Sequence, residues 1–91
     1  MLRLKRTSKF KKDLKRVIKQ KLPINILDEV ILTIRMQKTL DPKYRDHKLT
    51  GNLADFRECH LLPDWLLIYR VDKDNLILIA SRTGSHSDLF E

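Results

Sequence analysis

Residues 56–80 read FRECHLLPDWLLIYRVDKDNLILIA, and this run decides the fold. From Phe56 to Leu62 the side chains alternate. Arg57, Cys59 and Leu61 fall on one face, Phe56, Glu58, His60 and Leu62 on the other, the period-two pattern of a strand. Pro63 and Asp64 make a turn. Residues 65–69 (WLLIY) are apolar on both faces, which marks a central strand. Residues 72–75 (DKDN) form a polar hairpin turn, residues 76–80 return antiparallel, and Thr83-Gly84 ends that strand.

Upstream, Leu2 and Leu4 alternate with Arg3 and Lys5, which predicts a short first strand over 2–6. Thr7 and Ser8 are good helix N-caps. Behind them Phe10, Leu14, Val17 and Ile18 lie on one helical stripe, with lysines on the opposite side. Pro23 breaks this helix and can open a second, where Leu27, Val30, Ile31 and Ile34 repeat to about Gln37. Residues 39–54 have neither period and carry turn-prone pairs, so they read as a long connection: a plain crossover or a functional loop. Ser85 and Asp88 have capping-box spacing, which allows a terminal helical turn with His86, Leu89 and Phe90. The order β-α-α-β-β-β predicts an α+β fold, a helical hairpin packed on one face of an antiparallel sheet.

Ninety-one residues, 42% of them hydrophobic, suffice for one domain (1–91) with one core. No apolar run is long enough to span a bilayer, and no secretory h-region follows Met1. The single cysteine, Cys59, excludes an internal disulfide and, with only three histidines, a zinc-finger framework. The expectation is a cytoplasmic protein without a membrane partner. Its +7 charge is lopsided. Residues 1–21 hold ten basic side chains against the single acid Asp13, a net +9. Lys9, Lys11, Lys12, Lys15, Arg16 and Lys19 on the first helix are candidate contacts for a polyanion, or simply a solvated face.

His47, His60 and His86 lie far apart in sequence, each in a loop or at the end of an element. In a meander, the end of one strand (His60), the next turn (Asp64) and the end of the last strand (Arg82, His86) return to one edge. Folding back of the 39–54 segment would add His47. Such a set supplies what RNA cleavage needs. The 2′-hydroxyl is the nucleophile, imidazoles titrate near neutrality and can take and give protons, and a guanidinium can grip a phosphate. No cofactor or metal is called for by this pattern. Singly, each residue has a structural explanation, including an ion pair between Arg82 and Asp64, a core role for Trp65 and Cys59, and a plugging role for Phe90.

Four motifs taken in order resemble the YafQ branch of the RelE/ParE toxins: Asp46-His47-Lys48-Leu49-Thr50-Gly51, Phe56-Arg57-Glu58-Cys59-His60, Pro63-Asp64-Trp65-Leu66-Leu67-Ile68-Tyr69, and Arg82-Thr83-Gly84-Ser85-His86-Ser87-Asp88-Leu89-Phe90. The resemblance implies the toxin of a type II toxin–antitoxin system, a metal-independent endoribonuclease that cuts mRNA in the ribosomal decoding site and is neutralised by a cognate antitoxin. It implies His86 as general acid, Asp64 or His60 as base or orienting partner, His47 near the scissile phosphate, Arg82 as a matched position and Phe90 on a base. It also gives the basic helix a use, as a contact to 16S rRNA. The alternatives are a ParE-like toxin that binds gyrase without cutting RNA, and a basic RNA-binding module.

Overall fold

The computed structural model describes residues 1–90. Strand β1 (Arg3–Arg6) leads into helix α1 (Ser8–Lys19), a short connection, and helix α2 (Ile24–Arg35). The 39–54 segment is not structureless. It holds a 3₁₀ turn (Pro42–Tyr44), a two-residue strand β2 (His47–Lys48) and a second 3₁₀ turn (Gly51–Leu53). Strands β3 (Arg57–Leu62), β4 (Trp65–Asp72) and β5 (Ile77–Gly84) form the predicted meander, and helix α3 (His86–Phe90) ends the chain. The five strands lie in the order β1-β5-β4-β3-β2. The sheet is mixed, because β1 joins parallel to β5 while the other pairs are antiparallel.

Local chemistry explains the helices. Thr7 accepts the Phe10 N–H at 3.0 Å, the expected N-cap, and its own hydroxyl donates to the Ser81 carbonyl at 2.8 Å. The cap thus fastens the start of α1 to β5. Pro23 is the N-cap residue of α2, and Leu27, Val30, Ile31 and Ile34 are buried as the period predicts. The stripe of α1 differs from expectation. Its buried residues are Phe10, Asp13 and Val17, whereas Ile18 is exposed. A carboxylate occupies one of the inward positions.

The core lies between the helices and one face of the sheet. Cys59, Leu61, Trp65, Leu67, Tyr69, Leu78 and Ala80 come from the strands, and Phe10, Val17, Leu27, Val30 and Ile34 from the helices. Burying a Leu, Val or Phe side chain contributes roughly 1.5–3 kcal/mol. Trp65 Nε1 donates to the Thr83 hydroxyl (2.9 Å), which donates to the Leu66 carbonyl (2.8 Å), so no polar atom of this pair is stranded. Burial pushes the Cys59 thiol up to about 12, which keeps it a neutral core residue.

Strict alternation from Leu78 and Ala80 would set Arg82 on the covered face, but β5 is bulged. Ile68 pairs with Arg82 but its neighbour Tyr69 pairs with Ala80, leaving Ser81 as an extra residue. The bulge places Thr83 on the covered face beside Trp65 and puts Arg82 in the row of Ile68 and Glu58.

Candidate active site

The uncovered face of the sheet carries the titratable side chains. Glu58 and His60 project there from β3, alternating with the buried Cys59 and Leu61. His47 on β2 is the direct partner of Glu58 across the strands. It is placed by the residues before it. Asp46 accepts from Arg57 (Nη2 at 2.9 Å, Nε at 3.2 Å) and from the Tyr69 hydroxyl, which anchors the loop on the covered face. This pairing holds the Arg57 guanidinium above its ordinary value, while burial and the Asp46 carboxylate push the Tyr69 phenol up. Arg45 takes the left-handed conformation (φ 52°), and its carbonyl lies 2.7 Å from His47 Nδ1.

His86 begins α3. Gly84 supplies the turn with φ +155°, a conformation that side-chain-bearing residues rarely adopt. Ser85 and Asp88 cap each other: Asp88 N–H donates to Ser85 Oγ at 3.1 Å, and Ser85 N–H to Asp88 Oδ2 at 3.3 Å. Asp64, in the β3–β4 turn, accepts from the His86 backbone N–H (3.1 Å) and faces His86 Nδ1 (3.2 Å). These hydrogen bonds hold the Asp64 carboxyl below the usual carboxylate range.

The three imidazoles meet. Ring centroids are 6.1 Å apart for His47 and His60 and 5.9 Å for His60 and His86, and Phe90 lies 6.1 Å beyond His86. Phe90 is half exposed and does not plug the core. Beneath the rings lies a residue that the sequence reading passed over. Glu58 is 6% exposed, with Oε2 at 3.2 Å from His47 Nε2 and Oε1 at 3.7 Å from His86 Nε2. Its Oε1 has no hydrogen-bond partner. Nδ1 of His47 is directed at the Arg45 carbonyl, which leaves Nε2 facing the Glu58 carboxylate. Strand alternation, which sets Glu58 on the face of His60, was the available signal.

Arg82 does not join this cluster. Its Nε and Nη2 donate to the two oxygens of Asp13 at 2.7 and 3.1 Å, and Asp13 also accepts the Thr83 N–H at 3.2 Å. Asp13 is 3% exposed. A buried carboxylate in a low-dielectric site binds a guanidinium more strongly than the solvated Asp64 can. Arg82 thus pairs with Asp13, neither with Asp64, the structural alternative, nor free at the rim to grip a phosphate, and the Asp13 hydrogen bonds hold the guanidinium above its ordinary value. Arg16 belongs to the same frame, contacting Asp13 (3.3 Å), Asp88 (3.5 Å) and the Thr83 carbonyl (3.1 Å). Of the candidate polyanion contacts on α1, Lys9, Lys11, Lys12, Lys15 and Lys19 are exposed, while Arg16 is turned to the sheet.

A cleft of about 1070 Å³ lies on the covered side beside Asp46, Arg57 and Tyr69, and no histidine lines it. A smaller one of about 370 Å³ adjoins His60 and is lined by Lys43, Tyr44 and Arg45. Among the described residues, no three His, Cys, Asp or Glu side chains are grouped to hold a metal ion. No helix among them is long and apolar enough to cross a membrane.

Residues 2–91 match the family described as bacterial toxin of type II toxin–antitoxin system, YafQ. The mRNA interferase toxin YafQ of Escherichia coli (strain K12) is 36% identical over 87 residues, covering 92% of this chain and 90% of that protein. A copper-bound mutant toxin from Helicobacter pylori superposes with a TM-score of 0.94 at 43% identity, covering 99% of this chain and all of that one. YafQ in the E. coli DinJ–YafQ complex superposes with a TM-score of 0.89 at 30% identity, with both chains fully covered.

Proposed function

This chain belongs to the YafQ family of bacterial type II toxin–antitoxin toxins, and from that premise we propose that it is an endoribonuclease that cuts mRNA on the translating ribosome. The observation that carries this reading is the meeting of His47, His60 and His86 over a buried Glu58. A gyrase-binding toxin needs no such rim. The E. coli relative is an mRNA interferase, which supports the same reaction here.

His60 is the base. It sits between the other two rings and is half exposed, so it can reach a 2′-hydroxyl. It takes the hydroxyl proton as the 2′-oxygen attacks phosphorus. His86 is the acid: Asp64 holds Nδ1, which leaves the Nε2 proton for the departing 5′-oxygen. The bond from phosphorus to that oxygen breaks, giving a 2′,3′-cyclic phosphate and a 5′-hydroxyl end. His47, held between the Arg45 carbonyl and Glu58, assists at the scissile phosphate. Glu58 is buried away from substrate and acts as a positioning residue for the two rings beside it. Phe90 stacks on a base next to the cut. No step calls on a metal, because RNA brings its own nucleophile and imidazoles move both protons.

In this reading the α1 lysines bind 16S rRNA and the protein acts in the cytoplasm on ribosomes, which their exposure supports. A cognate antitoxin neutralises it, as supported by the relative solved with DinJ. The test is primer-extension mapping of cellular mRNA after induction, wild type against His86→Ala, with cleavage of programmed ribosomes set against naked RNA. Discrete new 5′ ends with the wild type alone, and faster cutting on ribosomes, are expected. Equal cutting by His86→Ala removes the acid assignment, and equal rates on naked RNA remove the ribosome.

A further inference from the structure

The helices cover one face of the sheet. On the other, Glu58, Leu66 and Ile68 are buried near the histidines, and the face opens toward the β1 edge, where Arg3 and Lys5 are exposed. Its side chains follow from the register. Glu58, Ile68 and Arg82 form one row across β3, β4 and β5. Two residues further along the strands, Lys5, Ile79 and Arg70 form the next row across β1, β5 and β4. Beyond that come Arg3, Ile77 and Asp72. Arg3 and Lys5 are exposed, while Arg70, Ile77 and Ile79 are half-buried. Among the described residues Arg3, Lys5 and Arg70 make no salt bridge. The carboxylate of Asp72 is engaged by Asn75, through its backbone N–H at 3.1 Å and its side-chain amide at 2.9 Å.

We propose that this open face is the bed for the single-stranded RNA flanking the scissile bond, with Arg70, Lys5 and Arg3 gripping backbone phosphates and Ile79 and Ile77 forming an apolar floor for the bases. The inference rests on the nuclease reading and extends it from the reacting bond to the strand leading away from it. Strand geometry sets the spacing. Arg70 is about 7 Å along β4 from the Ile68 row, and Lys5 about 10 Å from Arg70 across β5. The track therefore starts one row from Glu58 and runs toward the β1 edge. Charge selects the occupant. Three cations around aliphatic side chains, with only Asp72 near Arg70 to oppose them, fit a phosphodiester chain with exposed bases and repel a basic protein surface. The pattern is independent of base identity, as a flank of any sequence requires.

The test measures binding of a fluorescent single-stranded RNA, 2′-O-methylated throughout so that it cannot be cut, as a function of salt. The double variant Lys5→Gln/Arg70→Gln is compared with Lys21→Gln/Lys38→Gln, which removes the same charge from exposed positions off this face. The first pair is expected to lower the slope of log affinity against log salt by about 1.4, two single-strand phosphate contacts, and the second to leave it near the wild-type value. Equal effects of the two pairs, or wild-type protein without salt-dependent binding, overturn the track. Wild-type protein that binds through these residues yet fails to cut mRNA on ribosomes leaves the track standing and removes the nuclease reading. Thermal melts of both variants confirm that the fold is intact.

Discussion

The two faces of strands β3, β4 and β5 are built from adjacent residues and behave as different materials. On the covered face Cys59, Leu67 and Leu78 are fully buried and contribute to stability by exclusion of water. On the open face Glu58, His60 and Arg70 alternate with them and carry ionisable groups. A period of two lets one strand serve both ends, and mutations one position apart should separate them.

The largest separation is expected at the rim. His86→Ala should lower cleavage by about 10²–10⁴-fold, roughly 2.7–5.5 kcal/mol of barrier, with an unchanged melting temperature. Single-turnover cleavage on programmed ribosomes, paired with a thermal melt, checks both halves; a large fall in stability would mean that His86 belongs to the frame and not to the chemistry. The mirror experiment is Leu67→Ala. It should cost about 2–5 kcal/mol of stability in urea unfolding while the folded fraction still cuts, and a loss below 1 kcal/mol would show a core far looser than its burial implies.

Asp13→Ala crosses the division, since a buried carboxylate on α1 holds Arg82 and the Thr83 N–H. Leaving these donors without an acceptor should cost about 1–3 kcal/mol. Asp13→Asn should recover part of that, and identical unfolding curves for Ala and wild type would reduce the pair to a surface contact.

The smallest effect concerns Asp64. Its carboxyl is held low in the folded state by the His86 hydrogen bonds, so its contribution is present above the unfolded value of about 3.9 and is lost as pH falls through the folded one. Asp64→Asn should therefore be slightly less stable than wild type at neutral pH, with the two curves merging in acid. A gap that persists to the lowest pH would point to a steric cause.

Much of this division is legible in the sequence, and the parts that are not have physical reasons. The alternation 57–62 and the apolar run 65–69 specify strands because burial on one or both faces leaves a period that can be read directly. Convergence of His60, Asp64 and His86 follows from meander geometry and two tight turns. The Ser81 bulge leaves no mark, since one extra residue looks like any other, and that residue decides where Arg82 points. Strand β2 is only two residues long, too short to show a period. Asp13 did carry a signal, as the one acid among ten bases in residues 1–21. Reading it required knowing that α1 lies against the end of β5, beyond its pairing with β1.

The parallel pairing of β1 with β5 joins residues 3–6 to residues 77–80, nearly the full length of the chain. In a nascent polypeptide the first strand therefore waits for a partner made long after it, and His86 follows that partner. Until β5 has been made, the first strand has no parallel partner and the rim lacks His86, so the sheet and the side-chain cluster it carries are completed together.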